Sequence, residues 1–438
     1  VLGALSLAVL LLGVGAFAAL RQLPHRRLER ARLEVPRRST LAGLVATAGF
    51  PLPAVAGMRL ALEPGEGRTS VPARAALGGA VVAVVALVAS LVFGTSLRSL
   101  VDRPPLYGWD WDLTVLDESG YGEIDAERAA AILDADRDVS GWSGAYFQSV
   151  ELEGSRVPVI GLAAGAAVTP PLVSGRAVQA PGEIVLGRQT LDALGKRVGD
   201  TVVMASEQGE QALRVVGVAV FPTVGPILGA YTSLGDGALM PYDEIPGWDD
   251  VSPGPKALFV RFAPGADREA TRARLEESLA GVGRFPGSAQ VLPVQRPAQI
   301  VHYESMGGTP ALLGGVLVLA AVVSLGLALA SGVGRRRRDL SILKSLGFTR
   351  RQVSATVVWQ SSLIVGIGLI LGVPLGVALG RWLWMVFAEH LPVLARPSVP
   401  VLFLAGLAAA LLVLANLVAA APARVAGRTP VASVLRSE

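Results

Sequence analysis

Five long apolar stretches constrain the fold of this chain more than any other feature. Each is about as long as the ~20 residues that a helix needs to cross a bilayer core of roughly 30 Å. The composition agrees, because 52% of the 438 residues are hydrophobic and 17% are charged, whereas a soluble domain carries about 25% charged residues. The predicted transmembrane helices are residues 1–20, 74–98, 307–334, 353–380 and 399–423.

For residues 1–20, a signal peptide is the alternative to a span. No basic segment precedes the apolar run, and the positive charges follow it. This arrangement favours a span, because a signal peptide begins with a basic region.

Arginine-rich segments next to the spans set the orientation of the chain. Residues 21–73, 335–352 and 424–438 are rich in arginine, and such segments lie on the cytoplasmic side of a membrane. With five spans, all three can be cytoplasmic only if the first span enters from outside. Residues 99–306 and the short loop 381–398, whose Trp and Phe side chains suit an interfacial belt, are then extracytoplasmic.

The linker 21–73 is interrupted by a second, weaker apolar run at Leu41–Leu62. Pro51 and Pro53 break this run, which disfavours a full span. We expect an interfacial helix at Val55–Leu62 that forms an elbow before the next span. A short re-entrant hairpin is the alternative.

The charge distribution argues against a nucleic-acid partner in spite of the pI near 9.7. Residues 102–304 hold 16 basic and 28 acidic side chains, a net charge of −12, and the remainder of the chain has a net charge of +16. The basic residues lie beside the apolar runs, where membrane topology accounts for them.

Residues 99–306 have the composition of a soluble domain, with short β-branched runs bordered by Gly, Pro and Asp. The order β-α-β occurs near both ends, with mostly strands between, which predicts an α+β domain with a β-rich insertion at about 155–250. The expected strands are Asp112–Leu116, Phe147–Leu152, Val157–Leu162, Glu183–Leu186, Thr201–Ala205, Leu213–Ala219, Ala257–Phe262 and Ala289–Pro293. The expected helices are Asp125–Asp134, Arg188–Leu194 and Asp267–Gly281.

Motifs for catalysis or cofactor binding are absent from the sequence. There is no cysteine, only three histidines, and no phosphate-binding GxxxxGK[ST] loop, so the chain should not bind ATP itself. Asp134, Asp136 and Asp138 do not match a calcium loop, because Val139 and Ala145 occupy the positions that need Gly and Glu. A solvated acidic turn is expected there. The aromatic and acidic segment Tyr107–Asp112 either anchors the outer domain or contacts a substrate or lipid headgroups.

The basic segment 335–352 has a defined local pattern. Leu340, Leu343 and Leu346, with Ile342, form one apolar face of a short helix, and Gly347 lies where a helix C-cap is expected. Thr349 and Gln352 match a capping box that begins the next helix. The pattern predicts a rigid docking knob for a cytoplasmic partner; the alternative is a charge cluster followed by a loop.

Two further features lie inside the spans. Gly368, Gly372, Gly376 and Gly380 share one helix face, which permits close helix packing either within the monomer or between subunits. Asn416 is a strongly polar residue in the last span. An interhelical hydrogen bond is its expected role, with a transport pathway as the alternative.

The sequence GRRRRDLSILKSLGFTRRQV (Gly334–Val353) resembles the cytoplasmic signature of FtsX-like permeases, the membrane subunits of MacB-like (mechanotransmission, type VII) ABC transporters. Glu183–Val202 is similar to a segment that recurs in their outer domain. The resemblance implies a MacB-like periplasmic core domain and a location in the bacterial plasma membrane. The family unit has four spans, so the fifth span and the Val at position 1 favour the C-terminal half of a duplicated permease.

The resemblance also implies partners. A separate ABC ATP-binding subunit, which holds the ATP and magnesium, would contact the coupling helix, and this chain would be non-catalytic and bind no cofactor or metal. The other partners are the lipid bilayer and a second permease half or copy. Lipid, lipoprotein or drug transport is expected, with regulation of a cell-wall hydrolase or antibiotic sensing as the alternative. The implied ATPase-coupling residues are Arg338, Asp339, Leu340, Leu343, Lys344, Leu346, Gly347, Phe348 and Arg350.

Overall fold

The computed structural model describes residues 51–62, 73–120, 122–206, 209–224, 234–246, 254–294, 296, 300, 312–316, 319–320, 323, 326, 342–389, 391 and 393–428. The helices in this part of the chain are α1 (Leu52–Leu62), α2 (Ala73–Asp102), α3 (Ala126–Ala135), α4 (Arg188–Ala193), α5 (Arg268–Leu279), α6 (Arg350–Glu389) and α7 (Val401–Arg428). The strands are β1 (Leu113–Asp117), β2 (Val139–Leu152), β3 (Ser155–Leu162), β4 (Leu172–Gly175), β5 (Glu183–Gly187), β6 (Thr201–Ser206), β7 (Gly209–Ala219), β8 (Ala238–Pro241), β9 (Ala257–Phe262) and β10 (Ala289–Pro293).

The chain forms two compact units. One comprises Val1–Thr95, Gly307–Leu383 and Pro397–Glu438, and the other comprises Ser96–Met306 and Trp384–Arg396. Helices α2 and α6 each pass from the first unit, the helical unit, into the second, the outer unit.

Among the described residues, three helices are long and apolar enough to cross a membrane: Leu77–Asp102, Arg350–Glu389 and Val401–Gly427. They coincide with the predicted spans 74–98, 353–380 and 399–423. The predicted span 1–20 and the linker up to residue 50 lie outside the described residues. Of the span 307–334, only residues 312–316 and a few single positions are described, and these are helical. The structure therefore supports three of the five predicted spans.

Two helices extend beyond the predicted spans. The outer loop was expected from residue 381, but α6 continues to Glu389, because no Gly or Pro occurs between Arg381 and Glu389 to end a helix. The tail was expected from residue 424, but α7 includes Pro422 and ends at Arg428. In a membrane helix, neighbouring groups compensate for the hydrogen bond that proline removes.

The elbow helix forms three residues earlier than expected, as α1. Pro53 lies in its first turn, where the backbone N–H groups have no intrahelical acceptor in any case. The proline that was read as a helix breaker is therefore compatible with the start of this helix.

The outer unit is built on two lobes that share strand β2. The sheet order in the described part is β10-β1-β9-β2-β3-β8-β5-β7-β4, with β6 beside β2 and β7. The first half of β2 pairs with β9 up to Ala145, and the second half pairs with β3 from Tyr146 onwards. β2 thus joins an α/β lobe to an insertion lobe.

Each lobe has its own apolar core. The α/β lobe packs α3 and α5 against β1 and β9 through residues such as Leu133, Leu275 and Val260. The insertion lobe encloses the inward side chains of β3, β5, β7 and β8. Asp125 and Asp267 cap the two helices of the α/β lobe, each accepting hydrogen bonds from backbone N–H groups of the first turn.

An ion pair in the insertion lobe makes the stability of this lobe pH-dependent. Arg176 donates to both carboxylate oxygens of Glu183, and the N–H of Gln179 donates to the same carboxylate at 3.0 Å. These hydrogen bonds, with that of Arg176 the largest cause, lower the pKa of Glu183 to about 2. A carboxylate whose pKa is lower in the folded state stabilises the fold above its unfolded pKa of ~4.5 and loses this effect as the pH falls through 2.

We therefore expect Glu183→Gln to lower the free energy of unfolding at pH 7 by about 1 kcal/mol or less, since the Arg176 side chain is solvent-accessible and screened. The difference from the wild type should shrink as the pH falls from about 4.5 to about 2. Denaturant unfolding across this pH range measures it, with the exposed Glu210→Gln as a control. A difference that stays constant with pH would contradict the assignment.

Candidate functional site

The turn before α6 is a rigid helix end. Residues 342–345 are helical, and Gly347 adopts a left-handed conformation with φ of +96°. The N–H of Gly347 donates to the Lys344 carbonyl and the N–H of Phe348 donates to the Leu343 carbonyl, both at 3.1 Å. This pair of bonds is a Schellman motif, which requires a left-handed residue and so favours glycine. The C-cap predicted at Gly347 is confirmed.

A capping box begins α6 directly after this turn. The N–H of Thr349 donates to Gln352 Oε1 at 2.8 Å, and the N–H of Gln352 donates to Thr349 Oγ1 at 3.3 Å. The reciprocal bonds satisfy two N–H groups that a helix start would leave without partners. The predicted helix–break–helix is therefore present, although Arg338, Asp339 and Leu340 lie outside the described residues.

The inward side of this turn packs on the chain itself. Leu343 and Phe348 lie against a buried cluster formed by Val353, Val357, Ala423 and Ala426 at the adjoining ends of α6 and α7. Contact between these two residues is typical of a Schellman motif. Leu343, which was predicted on the partner face with Leu346, is thus partly buried against its own helices, and together with Phe348 it fixes the turn to them.

The outward side of the turn is apolar and exposed. Leu346 is 74% exposed and Ile342 is 46% exposed, and the two lie four residues apart on one helix face. Both residues belong to the apolar face predicted from sequence, whereas Leu343, predicted on the same face, turns towards the chain itself. Arg350, at the start of α6, is also exposed.

Lys344 ties the turn to the end of α7. Its Nζ donates to the carbonyl of Gly427 at 2.9 Å, one of the last carbonyls of α7, where the helix dipole favours a cation. Burial and, secondarily, the nearby charge of Arg350 lower the pKa of Lys344. Lys344 therefore positions the turn against α7 with its ammonium group.

Helices α6 and α7 are antiparallel and joined by hydroxyl groups. Ser354 donates to the Ala423 carbonyl at 2.9 Å, and Ser361 donates to the Ala415 carbonyl at 3.2 Å. Ser362 donates to Oδ1 of Asn416, also at 2.9 Å. The interhelical hydrogen bond expected for Asn416 is confirmed.

The glycine stripe of α6 packs against α2. A Cβ atom at Gly372, Gly376 or Gly380 would lie 2.7–2.8 Å from the Cβ atom of a valine on α2. The facing residues are Ala80 for Gly368, Val84 for Gly372, Val88 for Gly376 and Val92 for Gly380. Residue numbers rise together, so α2 and α6 are parallel. Of the two interpretations of the stripe, the structure supports packing within the monomer, because this face is already occupied.

Helix α1 also makes a close contact with α6. Ala54, Gly57, Met58 and Ala61 form its buried side. A Cβ at Gly57 would lie 2.5 Å from the Thr356 carbonyl oxygen. The elbow helix is thus fixed to α6 within two turns of the capping box.

No group of His, Cys, Asp and Glu suited to a metal occurs in the described ranges. The acidic run near Asp136 is a solvent-accessible turn, as expected, and is also ion-paired: Arg274 donates to Asp136 at 3.0 Å and to Asp138 at 2.7 Å. The hydrogen bond from Arg274 lowers the pKa of Asp138. Trp142 Nε1 donates to Asp134 at 2.8 Å.

The described residues combine three helices long enough to cross a membrane with an α+β outer unit. Two family models match the chain: the FtsX-like permease C-terminal model at residues 311–431 and the MacB-like periplasmic core domain model at residues 75–278. The chain belongs to this FtsX-like, MacB-like ABC transporter permease family. Such permeases are generally non-catalytic membrane components that work with a cytoplasmic ABC ATPase subunit.

Solved structures similar to this chain include the periplasmic region of MacB from Actinobacillus actinomycetemcomitans, with 12% identity, a TM-score of 0.32, and coverage of 44% of this chain and 94% of that one. The extracellular domain of the noncanonic ABC-type transporter YknZ from Gram-positive bacteria has 12% identity, a TM-score of 0.29, and coverage of 42% of this chain and 98% of that one. A domain of a permease protein from Porphyromonas gingivalis, described as putative, has 13% identity, a TM-score of 0.29, and coverage of 46% of this chain and 98% of that one. No curated protein sequence matches the chain. The family assignment rests on the two family models.

Proposed function

We propose that this chain is the permease subunit of an ABC transporter in the bacterial plasma membrane, and that a separate ATP-binding subunit docks on the exposed face of Ile342 and Leu346. The observation that carries the proposal is the division of the turn into two sides. Leu343, Phe348 and Lys344 attach it to α6 and α7, while Ile342 and Leu346 remain exposed. A force applied to this knob would therefore reach both helices together.

The helix directions support a cytoplasmic position for the knob. Parallel α2 and α6, with antiparallel α7, place the start of α2, the start of α6 and the end of α7 on one side. Arg74, Arg350 and Arg351 lie at the helix starts and Arg424 and Arg428 near the end of α7, as expected for the cytoplasmic side. The outer unit is then extracytoplasmic.

The polar groups inside the helices support mechanical work on an outer substrate rather than conduction through a polar path. Ser354, Ser361, Ser362 and Asn416 are used in interhelical hydrogen bonds, whereas a conduit needs polar side chains that line it. We propose ATP and magnesium on the partner subunit, no cofactor on this chain, and a lipid, lipoprotein or amphipathic substrate. The chain would act with a second permease half or copy.

The test is co-purification with the phosphate-loop ATPase that we expect to be encoded beside this chain. Leu346→Asp should reduce recovery of that subunit at least tenfold, since a charge in a desolvated apolar contact costs several kcal/mol. It should leave the melting temperature of the permease unchanged, because Leu346 is 74% exposed.

Ser345→Asp is the matched control, because it adds the same charge at the adjacent exposed position. It should retain the ATPase. If Leu346→Asp retains it equally well, the docking face is elsewhere. If the wild type recovers no ATP-binding subunit, the proposal that this chain is an ABC transporter permease fails.

A further inference from the structure

The segment Leu106–Asp112, here called the joint segment, follows α2 almost directly and is buried. Its apolar residues Leu106, Tyr107, Trp109 and Trp111 are 1–4% exposed. This segment was open to two interpretations from sequence, a domain anchor or a contact for substrate or lipid. The burial of its aromatic side chains favours the anchor.

The joint segment first contacts the α/β lobe. Trp111 stacks on Phe259 of β9 with ring centroids 4.1 Å apart and an interplanar angle of 17°. Arg261 donates to the Asp110 backbone carbonyl at 2.9 Å and to its carboxylate at 2.7 Å. The carboxylate of Asp112 accepts from the N–H of Phe262 at 2.8 Å. The segment is thus attached along the length of β9.

The second contact is with the insertion lobe. Gly108 has φ of +99°, and a Cβ there would lie 2.5 Å from the backbone N of Pro222 and 2.8 Å from the carbonyl oxygen of Val220. These two residues directly follow β7. Backbone thus packs on backbone at this point, which only glycine permits.

The third contact is with the loop that follows α6. The N–H of Leu394 donates to the Leu106 carbonyl at 2.9 Å, and the side chains of Val393 and Leu394 are buried. Tyr107 hydrogen-bonds with Arg296, in the chain that leads towards residue 307. Four separate parts of the outer unit therefore meet on seven consecutive residues.

We infer that the joint segment couples the loop between α6 and α7 energetically to both lobes of the outer unit, so that loosening any one of its contacts loosens the others. This inference rests on the proposed function in one respect: it identifies the residues through which helix movement would reach the outer domain. Coupling of this kind travels through contiguous packed and hydrogen-bonded groups, and the contacts above form such a network.

Amide hydrogen exchange on the full chain in nanodiscs tests the inference. Leu394→Asp places a charge at a buried position of the loop, and Ala395→Asp places it at the exposed neighbour as a control. Leu394→Asp should raise exchange roughly tenfold at Asp112, which is bonded to the Val260 carbonyl, and at Val220, which is bonded to the Pro171 carbonyl. Ala395→Asp should leave amide exchange at Asp112 and Val220 unchanged.

A second variant approaches the joint from the other side. Gly108→Ala should raise exchange at Leu394 as well as at Val220. Gly154→Ala is its control, because Gly154 also has a positive φ, +76°, but nothing within 4 Å of a Cβ. If each variant raises exchange only within its own segment, the inference is overturned. Because no nucleotide or partner enters this measurement, its outcome is independent of whether an ATP-binding subunit co-purifies.

Discussion

Gly376→Leu should strongly destabilise the helical unit. The Cβ of residue 376 would lie 2.7 Å from the Cβ of Val88 and 2.9 Å from the Val85 carbonyl oxygen, so α2 and α6 must move apart to admit any side chain. Overpacking of this kind costs typically 1–3 kcal/mol and sometimes more. We expect a lower melting temperature in detergent and a lower yield of monodisperse protein.

Gly366→Leu is the matched control for this prediction. Gly366 lies on the same helix, and nothing is within 4 Å of a Cβ placed there. The leucine should therefore be tolerated. Because leucine is a better helix former than glycine, equal destabilisation by the two variants would mean that the close approach of α2 does not account for the effect.

Asp117→Ala should have the largest effect in the α/β lobe. Asp117 is fully buried at the end of β1, where its carboxylate accepts from Ser288 Oγ and, at 3.0 Å, from the N–H of Arg284. Gly122 and Gly283 enclose it so closely that neither position has room for a Cβ. Removing the carboxylate leaves the N–H of Arg284 without this acceptor, although Ser288 Oγ can still donate to the Phe285 carbonyl at 2.8 Å, and the expected cost is about 1–3 kcal/mol.

Urea unfolding of the full chain, followed by tryptophan fluorescence, measures this loss. Asp200→Ala is the control, because Asp200 also accepts from a backbone N–H, that of Arg197 at 2.8 Å, but is exposed. It should cost only a few tenths of a kcal/mol. A similar loss in both variants would show that burial of Asp117 is unimportant.

Local signals in the sequence predicted the helices and most strands well. The capping box can be predicted from two residues three positions apart, Thr349 and Gln352. The left-handed conformation of Gly347 can be predicted from a glycine that follows a helical pattern. Each of the eight expected strands overlaps an observed one, because short runs of β-branched residues bordered by Gly, Pro and Asp are a local signal for a strand.

The features that sequence reasoning missed depend on residues far apart in the chain. The first half of β2 contains Gly141 and Gly144, which weaken a strand pattern; Gly144 is accommodated because Pro255 packs over it. β4 and β8 are four residues each and have too short a pattern to detect.

The same limit applies to the candidate docking site. The inward orientation of Leu343 is set by Ala423 and Ala426, some 80 residues later in the chain. Nothing near Leu343 in sequence distinguishes it from Leu346. The exposed pair could be identified only once α7 was in place beside the turn.

The matched four-residue repeats of α2 and α6 have a geometric consequence. Gly368, Gly372, Gly376 and Gly380 face residues 80, 84, 88 and 92, so the two rows repeat at the same four-residue interval along the helix axis. Sliding one helix by four residues is a shift of about 6 Å at 1.5 Å per residue. After such a shift in either direction, three of the four glycines again lie opposite side chains of the same row. A smaller displacement would set the valines against the backbone between glycines, so the close packing of this face opposes a gradual slide of one helix along the other.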